Sequence, residues 1–288
     1  MTERPLRVVV GLACTWLAAA FAPVDAATLD RIRDSGAITF AYRAHAAPFS
    51  FADRDGRVRG YSAELCNAVA QSIQQQLKLA SLKVTWVAVD AADRLDAVTS
   101  GRADAECGTT TMTLARMQKV DFSLPIFVDG ATLLTRTSSK IGSLADLKGR
   151  KIGVIAGTTT ENALVAGMNL QNVSATLVPV KDGVEGVAQL TAGKVDAYAG
   201  DRVVLAGFKL RDATGGKNLE LFGSDLSYEP YGIVMRRDDS DFRLAVNRAL
   251  AELYKRGGID QVYQRWLAPL GPAGPLLNAM YYLNAIPD

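Results

Sequence analysis

Val98-Thr99-Ser100-Gly101-Arg102-Ala103-Asp104-Ala105 returns later in the chain as Leu190-Thr191-Ala192-Gly193-Lys194-Val195-Asp196-Ala197. Each copy has the pattern of a helix end, a glycine that stops it, a basic residue and the start of a short strand. Only two copies occur, so the pattern is one α/β device used in two halves and not a solenoid. Each strand delivers polar groups just beyond its end: Thr109 and Thr111 after the first copy, Asp201 after the second. In open α/β sheets ligands collect outside the carboxyl ends of strands, so the repeat points to a site as well as to a fold.

Working outward, Glu106-Cys107-Gly108-Thr109-Thr110-Thr111-Met112-Thr113-Leu114-Ala115-Arg116 turns at its glycine into a cluster of hydroxyls followed by an arginine. A carboxylate fits there, because a guanidinium offers a planar fork of donors and hydroxyls complete the remaining lone pairs. A threonine-rich turn with a surface arginine is the plainer alternative. Ala37 to Tyr42 alternates like a strand and ends at Arg43. Either Phe49 or Phe51 could cover a ligand or pack in the core, and Asp53-Arg54-Asp55-Gly56 has the composition of a hairpin tip. Ser62 is placed as the N-cap of a helix running to about Leu77. After the strand Val84 to Val89, a short helix from Ala92 to Ser100 carries Arg94 in its first turn, where a cation is better tolerated beside a carboxylate.

In the second half, Ala131 to Arg136 and Lys151 to Ile155 are strands, and Ser143 to Gly149 is a short capped helix between them. Gly157-Thr158-Thr159-Thr160-Glu161 then opens a helix in a way suited to an anion, or serves as an ordinary threonine cap. Pro179 places the strand Leu177 to Val180 near a sheet edge. Tyr228 to Met235 returns as a strand, Asp241 to Leu253 and Ile259 to Trp266 are helices, and the tail from Pro269 is expected to lie over the first half.

The 288 residues suffice for two cores, and 32 Lys plus Arg against 30 Asp plus Glu leave no basic field for nucleic acid. Residues 1–26 have the layout of a secretory signal: Arg4 and Arg7 precede the apolar run Val8 to Ala22, and cleavage is expected after Ala26. Cys14 raises a lipoprotein alternative, which Gly11-Leu12-Ala13 serves poorly. Export leaves Cys66 and Cys107 in an oxidising compartment, bridged or simply buried. A single histidine, His45, excludes a His-rich metal site, and no Walker loop, zinc spacing or nucleophile elbow occurs, so no cofactor, metal or catalytic residue is assigned.

Arg43 through Phe49-Ser50, Gly60-Tyr61-Ser62, Glu106-Cys107-Gly108, Thr109 to Arg116, Asp121-Phe122-Ser123, Asp146 to Gly149, Gly157-Thr158-Thr159 and Tyr231-Gly232 together resemble bacterial extracellular solute-binding proteins of family 3, above all the glutamate/aspartate-binding branch. The resemblance implies a type II periplasmic binding protein fold, with two α/β lobes joined by two hinge strands. Lobe 1 would be 27–124 and 232–288, lobe 2 would be 128–228, and the hinges would lie near 125–127 and 229–231. It implies that Arg116 with Thr111 and Thr159 holds the α-carboxylate of an amino acid, that Thr109, Thr111 and Asp201 take its ammonium, and that Arg43 with Arg94 meets an acidic side chain. Two positions depart from that branch: Ala91 stands where it has a serine, and Gly183 where it has a histidine after Lys181-Asp182.

The expected function is that of a periplasmic, monomeric receptor that captures an L-amino acid and presents it to an inner-membrane ABC permease. A neutral polar amino acid is the alternative ligand. Two other classes remain: a periplasmic enzyme like cyclohexadienyl dehydratase, with Glu106 or Asp201 as general acid, and a detached sensory partner.

Overall fold

The computed structural model describes residues 27–212, 214 and 216–287, so the expected secretory segment lies outside the described residues. Helix α1 (Thr28–Ser35) leads into strand β1 (Ala37–Arg43). Three short strands, β2 (His45–Ala46), β3 (Ser50–Ala52) and β4 (Val58–Arg59), form a small antiparallel sheet whose last turn is the expected hairpin. Helix α2 (Tyr61–Gln76), strand β5 (Lys83–Val89), helix α3 (Arg94–Thr99), strand β6 (Ala105–Glu106), helix α4 (Leu114–Met117) and strand β7 (Val120–Phe122) follow.

The chain then crosses on strand β8 (Phe127–Asp129) to β9 (Ala131–Arg136), β10 (Lys151–Val154), α5 (Thr159–Leu170), β11 (Thr176–Pro179), α6 (Gly183–Thr191), β12 (Ala197–Asp201), α7 (Arg202–Arg211) and β13 (Leu219–Leu221). It returns on β14 (Glu229–Tyr231), completes the first sheet with β15 (Val234–Arg236), and ends in α8 (Ser240–Lys255), α9 (Gly258–Trp266) and α10 (Pro275–Leu283).

The two five-stranded sheets have the same plan. One runs β5-β1-β6-β15-β7 and the other β11-β10-β12-β9-β13. In each, three parallel strands are followed by an antiparallel fourth. The repeated octapeptide explains the match. Gly101 and Gly193 both stop their helices with φ near 70°, at +75° and +70°. Asp104 then accepts from the Thr39 amide at 2.8 Å, and Asp196 from the Lys151 amide at 2.9 Å. The same aspartate thus ties the third strand of each sheet to the start of its parallel neighbour. Pro179 does sit in an edge strand, β11, where its missing N–H leaves no ladder bond unmade.

β8 and β14 pair antiparallel as a two-stranded ribbon between the sheets. Its aromatic residues anchor it in the first core: Phe49 lies 4.8 Å from Phe127 and 5.4 Å from Tyr231, ring centre to ring centre. Phe51 packs edge-on against Trp266 instead. The tail does cover the first half. Tyr281 on α10 hydrogen-bonds the Tyr61 hydroxyl at 2.7 Å, and Tyr61 donates to the Ile126 carbonyl at the start of the ribbon.

One local expectation is corrected. Ser62 is not the N-cap of α2; the helix starts two residues earlier than that would place it, at Tyr61, capped by Gly60. Gly60 has φ +120°, and a Cβ there would fall on the carbonyl oxygen of Phe49 and 2.8 Å from that of Pro48. Only glycine lets the hairpin turn tightly enough onto the helix. Ser62 is fully buried and donates its hydroxyl to the Gly108 carbonyl, fixing the turn that carries the threonine cluster.

Cys66 and Cys107 are joined in a disulfide that ties α2 to the end of β6, 41 residues on. A loop of that length implies a stabilisation of about 4 kcal/mol on the chain-entropy account. Chemical denaturation of the oxidised protein and of the Cys66→Ser/Cys107→Ser variant should therefore differ by roughly 2–4 kcal/mol. Equal midpoints would show that the bond constrains nothing the fold does not already constrain.

Candidate functional site

Both sheets aim the carboxyl ends of their parallel strands at one cleft, beside the ribbon. The cleft encloses a cavity of about 60 Å3, lined by Arg43, His45, Arg94, Thr109, Thr111, Thr159, Asp201 and others. Arg43 is the last residue of β1, and its amide donates to Ser50 Oγ at 3.0 Å. Arg94 opens α3 and is 5% exposed. Thr109 and Thr111 follow the turn at Gly108, where a Cβ would collide with Glu106 Oε1 and lie 2.9 Å from Arg43 Cγ. Thr159 is the first residue of α5, whose Thr158 N-cap accepts from the Glu161 amide while Glu161 accepts from the Gly157 amide. Asp201 ends β12.

Arg116 stands apart from the other six residues singled out in the sequence. It does not line the cavity; its Nη1 donates to the Thr111 carbonyl at 2.8 Å. Its charge is felt by the carboxylates of Glu229, Glu106 and Asp201. Asp201 occupies the N-cap position of α7, yet its side chain caps nothing. The Asp129 carboxylate of β8 takes over that task by accepting from the Val203 amide, at 3.2 Å for Oδ2. Asp201 instead accepts from Thr160 Oγ1 at 3.3 Å and faces the cavity.

Arg94 has neutral partners, Thr110 Oγ1 at 2.8 Å and the Ala91 carbonyl. Burial, and then the neighbouring charge of Arg116, lower its guanidinium to about 10, against the pull of Glu106. Glu106 is fully buried, and among the described residues no well-formed hydrogen bond reaches either of its carboxylate oxygens. Burial raises its pKa, and the charge of Arg94, the Thr110 hydroxyl and the charges of Arg43 and Arg116 oppose the rise. Burial raises Asp201 too, with the Glu229 carboxylate as the second cause. Three guanidinium groups thus surround the Glu106 carboxylate, while Asp129 and Glu229 lie on the ribbon and Asp201 at the end of β12.

Sequence reasoning missed three residues. Glu229, on the ribbon strand β14 and 1% exposed, accepts from Thr111 Oγ1 and, at 2.8 Å, from Thr159 Oγ1. Asp129 sits opposite on β8, paired with Glu229 in the ribbon register. A charged residue in each of two otherwise apolar crossing strands was the available signal. His45, which the sequence marks only as excluding a His-rich metal site, lines the cavity, with Nε2 3.8 Å from Asp182 Oδ2 across the cleft. At Gly183, the departure noted above, a Cβ would come within 2.6 Å of the Phe208 ring, so a side chain there requires that ring to move.

Asp129 gives the site a pH signature. Burial, reinforced by the charge of Asp201, pushes its carboxyl up to about 8, although the Gly130 and Val203 amides and the Tyr231 hydroxyl bond to it. The folded state therefore holds this proton more tightly than the unfolded chain. The contribution to stability is full below the ordinary carboxylate pKa and is lost as pH rises through about 8. Asp129→Asn should make the fall in melting temperature between about pH 5 and about pH 9 shallower than in the wild type. An unchanged slope would mean that the Asp129 proton is not linked to folding.

Residues 38–269 match the model of bacterial extracellular solute-binding proteins, family 3. The L-glutamate/L-aspartate-binding protein of Pseudomonas aeruginosa PAO1 is 32% identical over 281 residues, covering 95% of this chain and 93% of the relative. The glutamate/aspartate import solute-binding protein of Salmonella typhimurium LT2 is 31% identical over 258 residues, covering 89% of this chain and 85% of the relative. Among solved structures, the ancestral amino acid-binding protein AncCDT-1, a precursor of cyclohexadienyl dehydratase, superposes with a TM-score of 0.72 at 28% identity, covering 84% of this chain and 99% of its own. The two-lobed α/β architecture, the match along most of the chain and these relatives agree: the chain belongs to the bacterial extracellular solute-binding proteins, family 3.

Proposed function

We propose that this protein is an exported receptor for an acidic L-amino acid, glutamate or aspartate, which it binds between two closing lobes and delivers to an ABC permease of the inner membrane. The observation that carries this reading is the charge layout of the cavity. Two arginines, Arg43 and Arg94, line it together, with Asp201 and threonine hydroxyls among the other lining groups. Two guanidinium groups in a water-poor space repel unless an anion lies between them. A zwitterion with a second acid answers that layout. Its side-chain carboxylate would lie between Arg43 and Arg94, and its ammonium beside Asp201, Thr109 and Thr111. Its α-carboxylate would face the start of α5 at Thr159, with Arg116 adding charge from behind Thr111.

The moving bodies in this reading are 27–124 with 232–288, and 128–228, turning about the ribbon. The cavity is lined from both sides of the cleft, by Arg43, Arg94, Thr109 and Thr111 on one side and Thr159 and Asp201 on the other, so in this reading the ligand enters with the lobes apart. Thr111 and Thr159 come from opposite sides of the cleft, and a ligand bridging both sides stabilises the closed arrangement by its higher affinity for it. Binding without chemistry is the simpler use of these groups, because Glu106, one candidate acid for a dehydratase, does not line the cavity. Ligand recovered unchanged after release would agree with this.

Titration calorimetry with L-glutamate, L-aspartate and their amides tests the ligand class. At least one acid should bind about tenfold more tightly than its amide, a difference of ~1.4 kcal/mol. Arg43→Met and Arg94→Met should each narrow that gap. Amides that bind as well as the acids would shift the assignment to a neutral polar amino acid.

A further inference from the structure

The ribbon contributes a side chain that controls the threonines of the cleft without lining the cavity itself. Glu229 lies behind Thr111 and Thr159, which come from opposite sides of the cleft and bring their hydroxyl oxygens to 3.2 Å from each other. Both hydroxyls donate to the same carboxylate oxygen, Glu229 Oε2, and Ser227 Oγ donates to Oε1 at 2.6 Å. A hydroxyl has one hydrogen to donate and lone pairs with which to accept. With their hydrogens directed at Glu229, Thr111 and Thr159 have only lone pairs left to present to the cavity. Lone pairs attract an N–H donor and repel a carboxylate.

We infer that Glu229 is a positioning residue that sets the polarity of this end of the site: it makes Thr111 and Thr159 acceptors, so that with Asp201 they receive the ligand's ammonium group. This rests on the amino-acid reading above and sharpens it. The hydroxyl of Thr159 is thereby removed from the donors available to the α-carboxylate, which falls to backbone N–H groups at the start of α5 and to the charge of Arg116. The same carboxylate links the two sides of the cleft from the ribbon, so ammonium recognition and closure share one anchor.

The test compares L-glutamate with glutarate, the same diacid lacking the amino group, by competition calorimetry. Wild type should prefer glutamate by at least about tenfold, as expected for charge-assisted bonds to the ammonium. Glu229→Gln, whose amide can donate to the threonine oxygens, should weaken glutamate and leave glutarate nearly unchanged, reducing the preference to about threefold or less. Thr159→Val keeps Glu229 and removes one acceptor, and should also narrow the gap, with thermal unfolding confirming that each variant is folded. Equal weakening of both ligands would reduce Glu229 to a general support, tighter glutamate binding would make it a competitor displaced by the ligand, and an unchanged gap would leave it without effect; each overturns the inference. If wild-type protein binds no amino acid, the proposed function falls and this inference with it; if it binds glutamate but the variants keep the preference, only this inference falls.

Discussion

A charge taken out of water must find hydrogen bonds or a counter-charge. Between its two sheets this chain buries or half-buries the guanidinium groups of Arg43, Arg94 and Arg116 and the carboxylates of Glu106, Asp129, Asp201 and Glu229. The protein's own pairing is incomplete. Among the described residues no well-formed hydrogen bond reaches Glu106, Arg94 bonds to neutral oxygens, and Asp201 accepts from the hydroxyls of Thr160, at 3.3 Å, and Tyr231. Such an arrangement is costly in a bare protein and becomes favourable when a ligand of matching charge completes it. The cavity and the perturbed acids around it follow from the same constraint.

The fold produces this convergence by using one device twice. Each octapeptide stops a helix and ties the third strand of a sheet to the start of its neighbour, and each strand ends at the cleft. The ribbon then decides how the two copies face each other. Phe127 and Tyr231 hold it in the first core, while Asp129 caps α7 of the second half through the Val203 amide. One crossing strand is thus bonded to both halves.

What could be read from the sequence was what depends on local spacing. The repeated octapeptide, Arg43 at a strand end, the glycine at 108 and the α5 cap all lie within a few residues of the groups that explain them. Ser62 misled because a serine before an apolar run is a good cap in general, whereas here a contact between Gly60 and Phe49 sets the helix start. A charge in an apolar crossing strand marks Glu229, but its role was out of reach for a different reason: its partners Thr111 and Thr159 are 118 and 70 residues away. The empty space at Gly183 belongs to the ring of Phe208, and the placement of Arg116 depends on the path of the whole threonine turn. Pairings of that kind exist only once the two halves have been brought together.

The most direct test of the account is a crystal structure of the protein with L-glutamate. The charge layout requires the ligand in the cleft with its side-chain carboxylate between Arg43 and Arg94 and its ammonium within hydrogen-bond distance of Asp201. A glutamate bound the other way round, with a carboxylate against Asp201, or bound outside this cleft, would contradict it.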